Sequence, residues 1–226
     1  MVIPSSIRRG IATFAAVVAL GVTAPAQSTS LSVSGFTNGS LPFTITLAPP
    51  PVFNPVSAGG FDGVFGLINI NLWCFDLYHA FGFGPSMNYT ASIYDTSGLL
   101  AKLFTEVTLP NRTSTTTRSA AFQLAIWEIL YDPASLNVTT GLFQAAGDAG
   151  AISQANTWLA GLATTVANDT VIKLTSNENP LTQNFVTDTP LPPRLLVPEP
   201  ASLPLLGLGL VAMFFATRRR NGARTH

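Results

Sequence analysis

A helix that is apolar on nearly every side can only lie at the centre of a fold, because it has no polar face to give to water. The run SAAFQLAIWEILYD, Ser119 to Asp132, is such a segment. The polar stretch NRTSTTTRS, Asn111 to Ser119, reads as a loop whose last residues cap a helix starting near Ser119. Asp132-Pro133 is its stop signal. One amide, Gln123, stands in the middle of the run. Burying an amide without partners costs roughly 2 kcal/mol or more, so Gln123 must find hydrogen bonds wherever the fold leaves it. Trp127 is four residues further on and shares its helix face.

Other elements must enclose this helix, and the rest of the chain supplies mainly strands. LSVSGF and FTITLA read as short strands joined by a glycine-containing turn. GVFGLINI leads into LWCFDL, apolar enough for a core strand. NYTASIYD and LAKLFTEVTL are further strand or mixed candidates, and TVIKLTS is a returning strand. AGAISQANTWLAGLATTV reads as a second helix. The pattern predicts a mainly β domain with a helical insertion, α+β in class, over residues 27–176. Residues 177–196, rich in proline, read as a linker.

The two ends of the chain have their own logic. Arg8 and Arg9, the apolar stretch Gly10 to Val22 and the small-residue site Ala24 to Ala26 predict a secretory signal over residues 1–26, cleaved after Ala26. At the other end Val197, Pro198, Glu199 and Pro200 precede an apolar stretch, Ala201 to Thr217, and then Arg218, Arg219 and Arg220. The apolar stretch is at the short end of what spans a bilayer, and the arginine cluster should stay cytoplasmic. Residues 197–220 closely resemble the PEP-CTERM sorting signal. That resemblance implies an exosortase as partner, a transmembrane tail anchor, and a Gram-negative host that makes extracellular polysaccharide. The expected location is the cell surface or extracellular matrix, after export through the inner membrane.

Between these ends the domain holds five basic residues, Lys102, Arg112, Arg118, Lys173 and Arg194, against ten acidic ones, a net of five negative charges. No basic patch exists, so a nucleic-acid partner is not expected. Cys74, within LWCFDLYHA (Leu72 to Ala80), is the only cysteine. A lone cysteine in an exported chain is a buried small hydrophobe, an intermolecular bridge or a reactive group. With one histidine in the domain, and Asp62, Asp95, Asp132 and Asp148 scattered, no metal site and no cofactor are expected.

A thiol brought against a glutamine amide can attack its carbonyl, release ammonia and leave a Cys–Gln thioester. Such a bond survives only where water is excluded. WCF followed by FQLAIW resembles the thioester domain of bacterial surface adhesins, on Cys74, Gln123, Ala125, Ile126 and Trp127. Phe122 stands where Gram-positive members commonly carry Thr. The resemblance implies a β-sandwich with a helical subdomain and a thioester crosslink between Cys74 and Gln123. Trp73, Phe75, Phe122, Ile126 and Trp127 are the apolar neighbours expected to shield it. The partner would be an amine- or hydroxyl-bearing surface protein or polysaccharide, captured once, so the chain would not be an enzyme.

Asp76, Tyr78 and backbone N–H groups are candidates to assist closure. A cysteine hydrolase would need a base beside the thiol. On a continuing strand His79 would face away from Cys74 while Asp76 and Tyr78 flank it. A non-covalent structural or carbohydrate-binding matrix protein is the alternative, with Tyr78, Tyr89 and Tyr94 as a sugar-binding surface.

Overall fold

A computed structural model describes residues 28–196 apart from 48–51, 53 and 81. The signal segment 1–26, the sorting residues Val197 to Pro200, the apolar stretch after them and Arg218 to Arg220 lie outside the described residues. Among the described residues no helix is long and apolar enough to cross a membrane.

Six strands close into an antiparallel barrel: β1 (Thr29–Phe36), β4 (Phe61–Phe65), β5 (Ile68–Cys74), β9 (Phe185–Thr187), β8 (Val171–Ser176) and β6 (Met87–Asp95), in that order around the wall. A separate three-stranded sheet runs β3 (Val56–Ala58), β2 (Leu41–Leu47), β7 (Phe143–Ala146). Alternation sorts the barrel residues into two faces. Leu31, Phe61, Phe65, Leu72, Tyr89, Leu174 and Phe185 point inward and are buried. Phe185 packs edge-on to Phe61 at 5.9 Å. The observed sheet is thus a closed barrel with a small accessory sheet, where the resemblance implied a β-sandwich.

The apolar helix is α3, Thr116–Tyr131, and residues 119–129 are all buried. It is enclosed by α1 (Leu99–Glu106), α2 (Leu109–Arg112), α4 (Ala149–Gly161) and strands β2, β3 and β7. It begins three residues before Ser119, because Thr115 caps it, accepting the Arg118 N–H at 3.2 Å. Asp148 caps α4 in the same way, accepting the Ala151 N–H at 2.8 Å.

Two expectations fail. LAKLFTEVTL is not a strand: Leu100, Ala101, Leu103 and Phe104 bury one face of α1. Asp95 starts that helix by accepting N–H bonds from Gly98 at 2.6 Å and Ala101 at 3.1 Å. Residues 177–196 are not a linker. Phe185–Thr187 is the strand that joins β5 to β8 and closes the barrel. The next residue, Asp188, pairs with Arg112, a fully buried guanidinium stacked 4.7–4.9 Å from the rings of Trp73, Phe104 and Phe122. Burial pushes the Arg112 pKa down and Asp188 restores part of it. The prolines misdirect here because they lie on either side of the strand, not in it.

Candidate functional site

Cys74 is the last residue of β5, at the rim of the barrel. Phe75 turns its N–H toward β9, donating to Asn184 O at 2.8 Å. By alternation the N–H and C=O of Cys74 face the other side, toward β4. There the ladder has already ended, because its final pair is Phe61 with Leu72. Gln123 fills the vacant place. Its Oε1 accepts the Cys74 N–H at 2.8 Å and its Nε2 donates to the Cys74 C=O at 2.9 Å. The buried amide and the exhausted strand edge satisfy each other, and the carboxamide is fixed at two points beside the residue that carries the thiol.

Gln123 belongs to a stripe. Ser119, Gln123, Trp127 and Tyr131 recur every four residues along α3 and run down one slowly turning face. Ser119 Oγ accepts the Gly60 N–H at 2.7 Å. Tyr131 Oη accepts the Leu77 N–H at 3.0 Å. One helix therefore stitches the barrel rim before β4 and after β5. Sequence reasoning missed Ser119 and Tyr131, although the interval of four was the signal for both.

After Cys74 the chain leaves the strand and turns around Asp76. Its Oδ1 accepts the His79 N–H at 3.0 Å and lies 2.9 Å from His79 Nδ1. Its Oδ2 accepts from Asn184 N at 3.1 Å and Asn184 Nδ2 at 3.0 Å. Because the strand stops at Cys74, the expectation that His79 faces away fails. Cys74, Asp76, Tyr78, His79, Trp127 and Gln183 line one cavity of about 380 Å³. Trp127 Nε1 is itself buried from solvent and has no hydrogen-bond partner among the described residues.

The expected shield divides. Trp127 lies in the cavity wall beside Cys74. Trp73 and Phe75 alternate with Cys74 and point to the opposite face of the strand. Trp73 packs into the helical layer, edge-on to Phe122 at 5.1 Å and to Phe104 at 5.8 Å. Phe75 lies under Lys173, 3.9 Å from its Nζ, and edge-on to Tyr94. Ile126 and Phe122 are buried in α3. Nor do the tyrosines share a surface. Tyr89 is buried inside the barrel, where its hydroxyl donates to Gln183 O at 2.8 Å, and Tyr78 packs on Tyr131.

Burial pushes the Cys74 thiol well above the ordinary thiol range, and the nearby Asp76 charge adds to the shift. Among the described residues no hydrogen bond joins its sulfur to His79. Among the described residues no group of three or more His, Cys, Asp or Glu is placed to hold a metal ion.

Residues 196–220 match the PEP-CTERM protein-sorting motif. The motif marks the chain for export to the cell envelope and for exosortase processing. The structure is similar to the N-terminal thioester domain of fibronectin-binding protein SfbI from Streptococcus pyogenes, with a TM-score of 0.42 and 13% identity, over 67% of this chain and 95% of that one. No curated protein matches the chain.

Proposed function

We propose that this chain is a cell-surface or matrix protein whose domain forms an internal thioester between Cys74 and Gln123. The bond is spent once, to join the protein covalently to an amine or hydroxyl on a surface protein or polysaccharide. The product is attachment, for adhesion or matrix crosslinking, and the domain does not turn over. The sorting tail delivers the domain, and its apolar stretch with Arg218, Arg219 and Arg220 anchors it in the membrane until an exosortase acts.

The observation that carries this reading is the two-point hold of the Gln123 carboxamide on the main chain of Cys74. The Cys74 N–H points at Oε1, the atom on which negative charge develops when sulfur attacks Cδ. The Sγ–Cδ bond forms and the Cδ–Nε2 bond breaks. The thiol proton leaves with nitrogen as ammonia. The high thiol pKa then works in favour of the product. A thiolate that is costly to expose in a buried site is a poor leaving group, so the thioester persists until a partner arrives.

The test is the intact mass of residues 27–196 before and after methylamine. The expected result is a mass short by one ammonia, then an adduct on Gln123. Cys74→Ala should abolish both, and it is a clean control because Gln123 binds the main chain of residue 74, which alanine keeps. Gln123→Ala should also abolish both, but it strands the Cys74 N–H and C=O and should cost about 3 kcal/mol of stability. A full mass with a freely titrating thiol would sink the proposal. The paired hydrogen bonds would then serve only as a structural clamp in a non-covalent matrix protein.

A further inference from the structure

The cavity that reaches Cys74 also contains an oriented imidazole. His79 lies at its rim, with its side chain 39% exposed, while Cys74 lies deeper and is buried. A carboxylate can only accept, so the contact with Asp76 Oδ1 places the ring proton of neutral His79 on Nδ1. The lone pair is then on Nε2, which has no hydrogen bond among the described residues. Asp76 cannot swing away, because Asn184 holds its other oxygen through two N–H bonds.

We infer that His79 is the general base of the capture step, positioned by Asp76, and that the site is built for a hydroxyl-bearing partner. The inference rests on the thioester reading above and deepens it. A neutral amine attacks a thioester with its own lone pair and sheds its proton afterwards. An alcohol is a weak nucleophile and must lose its proton as it attacks, so it needs a base at that moment.

In the step, the hydroxyl oxygen bonds to Gln123 Cδ while His79 Nε2 takes its proton. The Cδ–Sγ bond breaks with its electron pair on sulfur. The imidazolium returns the proton to the Cys74 thiolate. An ester of Gln123 and a free thiol remain, and nothing is oxidised or reduced.

The experiment is a competition on the full chain in detergent, with glycerol and methylamine present together and both adducts read by intact mass. Hydroxylamine cleaves the ester and spares the amide, which identifies each adduct. The wild type should take glycerol. In His79→Gln the glycerol-to-methylamine ratio should fall about a hundredfold. Asp76→Asn should lower it less. In His79→Gly, added imidazole should restore glycerol capture, which a merely structural role for His79 would not allow. A wild type that takes methylamine and no glycerol overturns the inference and points to a protein lysine. So does an unchanged ratio in both His79 variants. Absence of the ammonia deficit in the untreated wild type is a different result, because it removes the thioester itself.

Discussion

Glu128 is a buried carboxylate on α3, away from the stripe that holds the barrel. Its Oε1 accepts the Asn137 N–H at 2.8 Å. Burial, helped by the charge of Asp132, pushes its pKa up from 4.5 to about 7 against the pull of the Asn137 N–H. The folded state therefore binds this proton more tightly than the unfolded chain does. The contribution to stability is complete below pH 4.5, declines as the pH rises, and is lost above about 7. At about 1.4 kcal/mol per pH unit the loss is roughly 3–4 kcal/mol. Glu128→Gln keeps the acceptor for Asn137 and removes the charge. At pH 8 it should melt about 10 °C above the wild type, and the two should converge near pH 4.5; parallel melting curves across this range would refute the assignment. Other single residues show how far the sequence could be read. That Gln123 needs partners followed from an apolar run that no water could reach. That the partners are the N–H and C=O of Cys74 did not follow, because it depends on where the β4 ladder stops. Trp73 and Phe75 were misjudged as shields through parity: neighbours of Cys74 in sequence lie on the other face of its strand.

At the scale of elements, the strand the sequence concealed has the largest consequence. β9 is three residues long, and Phe185, Val186 and Thr187 are all buried. It pairs with β5 on one side and β8 on the other, and Asp188 behind it neutralises the buried Arg112. Chain ending at Ser176 would open the barrel between β5 and β8. It would also leave a guanidinium unpaired among three aromatic rings, which alone costs about 3 kcal/mol or more. Residues 28–176 should therefore show no cooperative thermal transition by circular dichroism and should be cut rapidly by protease. Residues 27–196 should unfold cooperatively. A truncated domain that melts within a few degrees of the longer one would show that β9 is dispensable. Three residues between proline-rich segments give too little alternation to read as a strand. α3 was legible for the opposite reason. Its length, its apolar circumference and its flanking stops left one solution, and the structure differs only in an earlier cap. α1 was ambiguous because its short apolar run fits either period, and the decision came from Asp95 upstream.

For the whole molecule, the last described residue, Leu196, is also the first of the sorting motif. Leu196 makes an isolated bridge to Ala91 on β6, and the matched motif begins at that same residue. Everything in the candidate site lies upstream: Cys74, Asp76, His79, Gln123, Trp127, and the Gln183–Asn184 segment that braces Asp76. Folding and thioester closure should therefore be complete without the tail, and sorting should be a separate property. A chain stopped after Leu196 should keep the ammonia deficit and melt within about 2 °C of the full chain, which corresponds to less than roughly 1 kcal/mol for a domain of this size. In the exporting host it should move from the membrane and envelope fraction to the medium. Loss of the deficit, or a larger fall in melting temperature, would mean that the tail takes part in the fold. A protein that stays with the envelope without its tail, and is released only by Cys74→Ala, would be held there by its own covalent bond. That outcome would locate the captured partner on the producing cell itself.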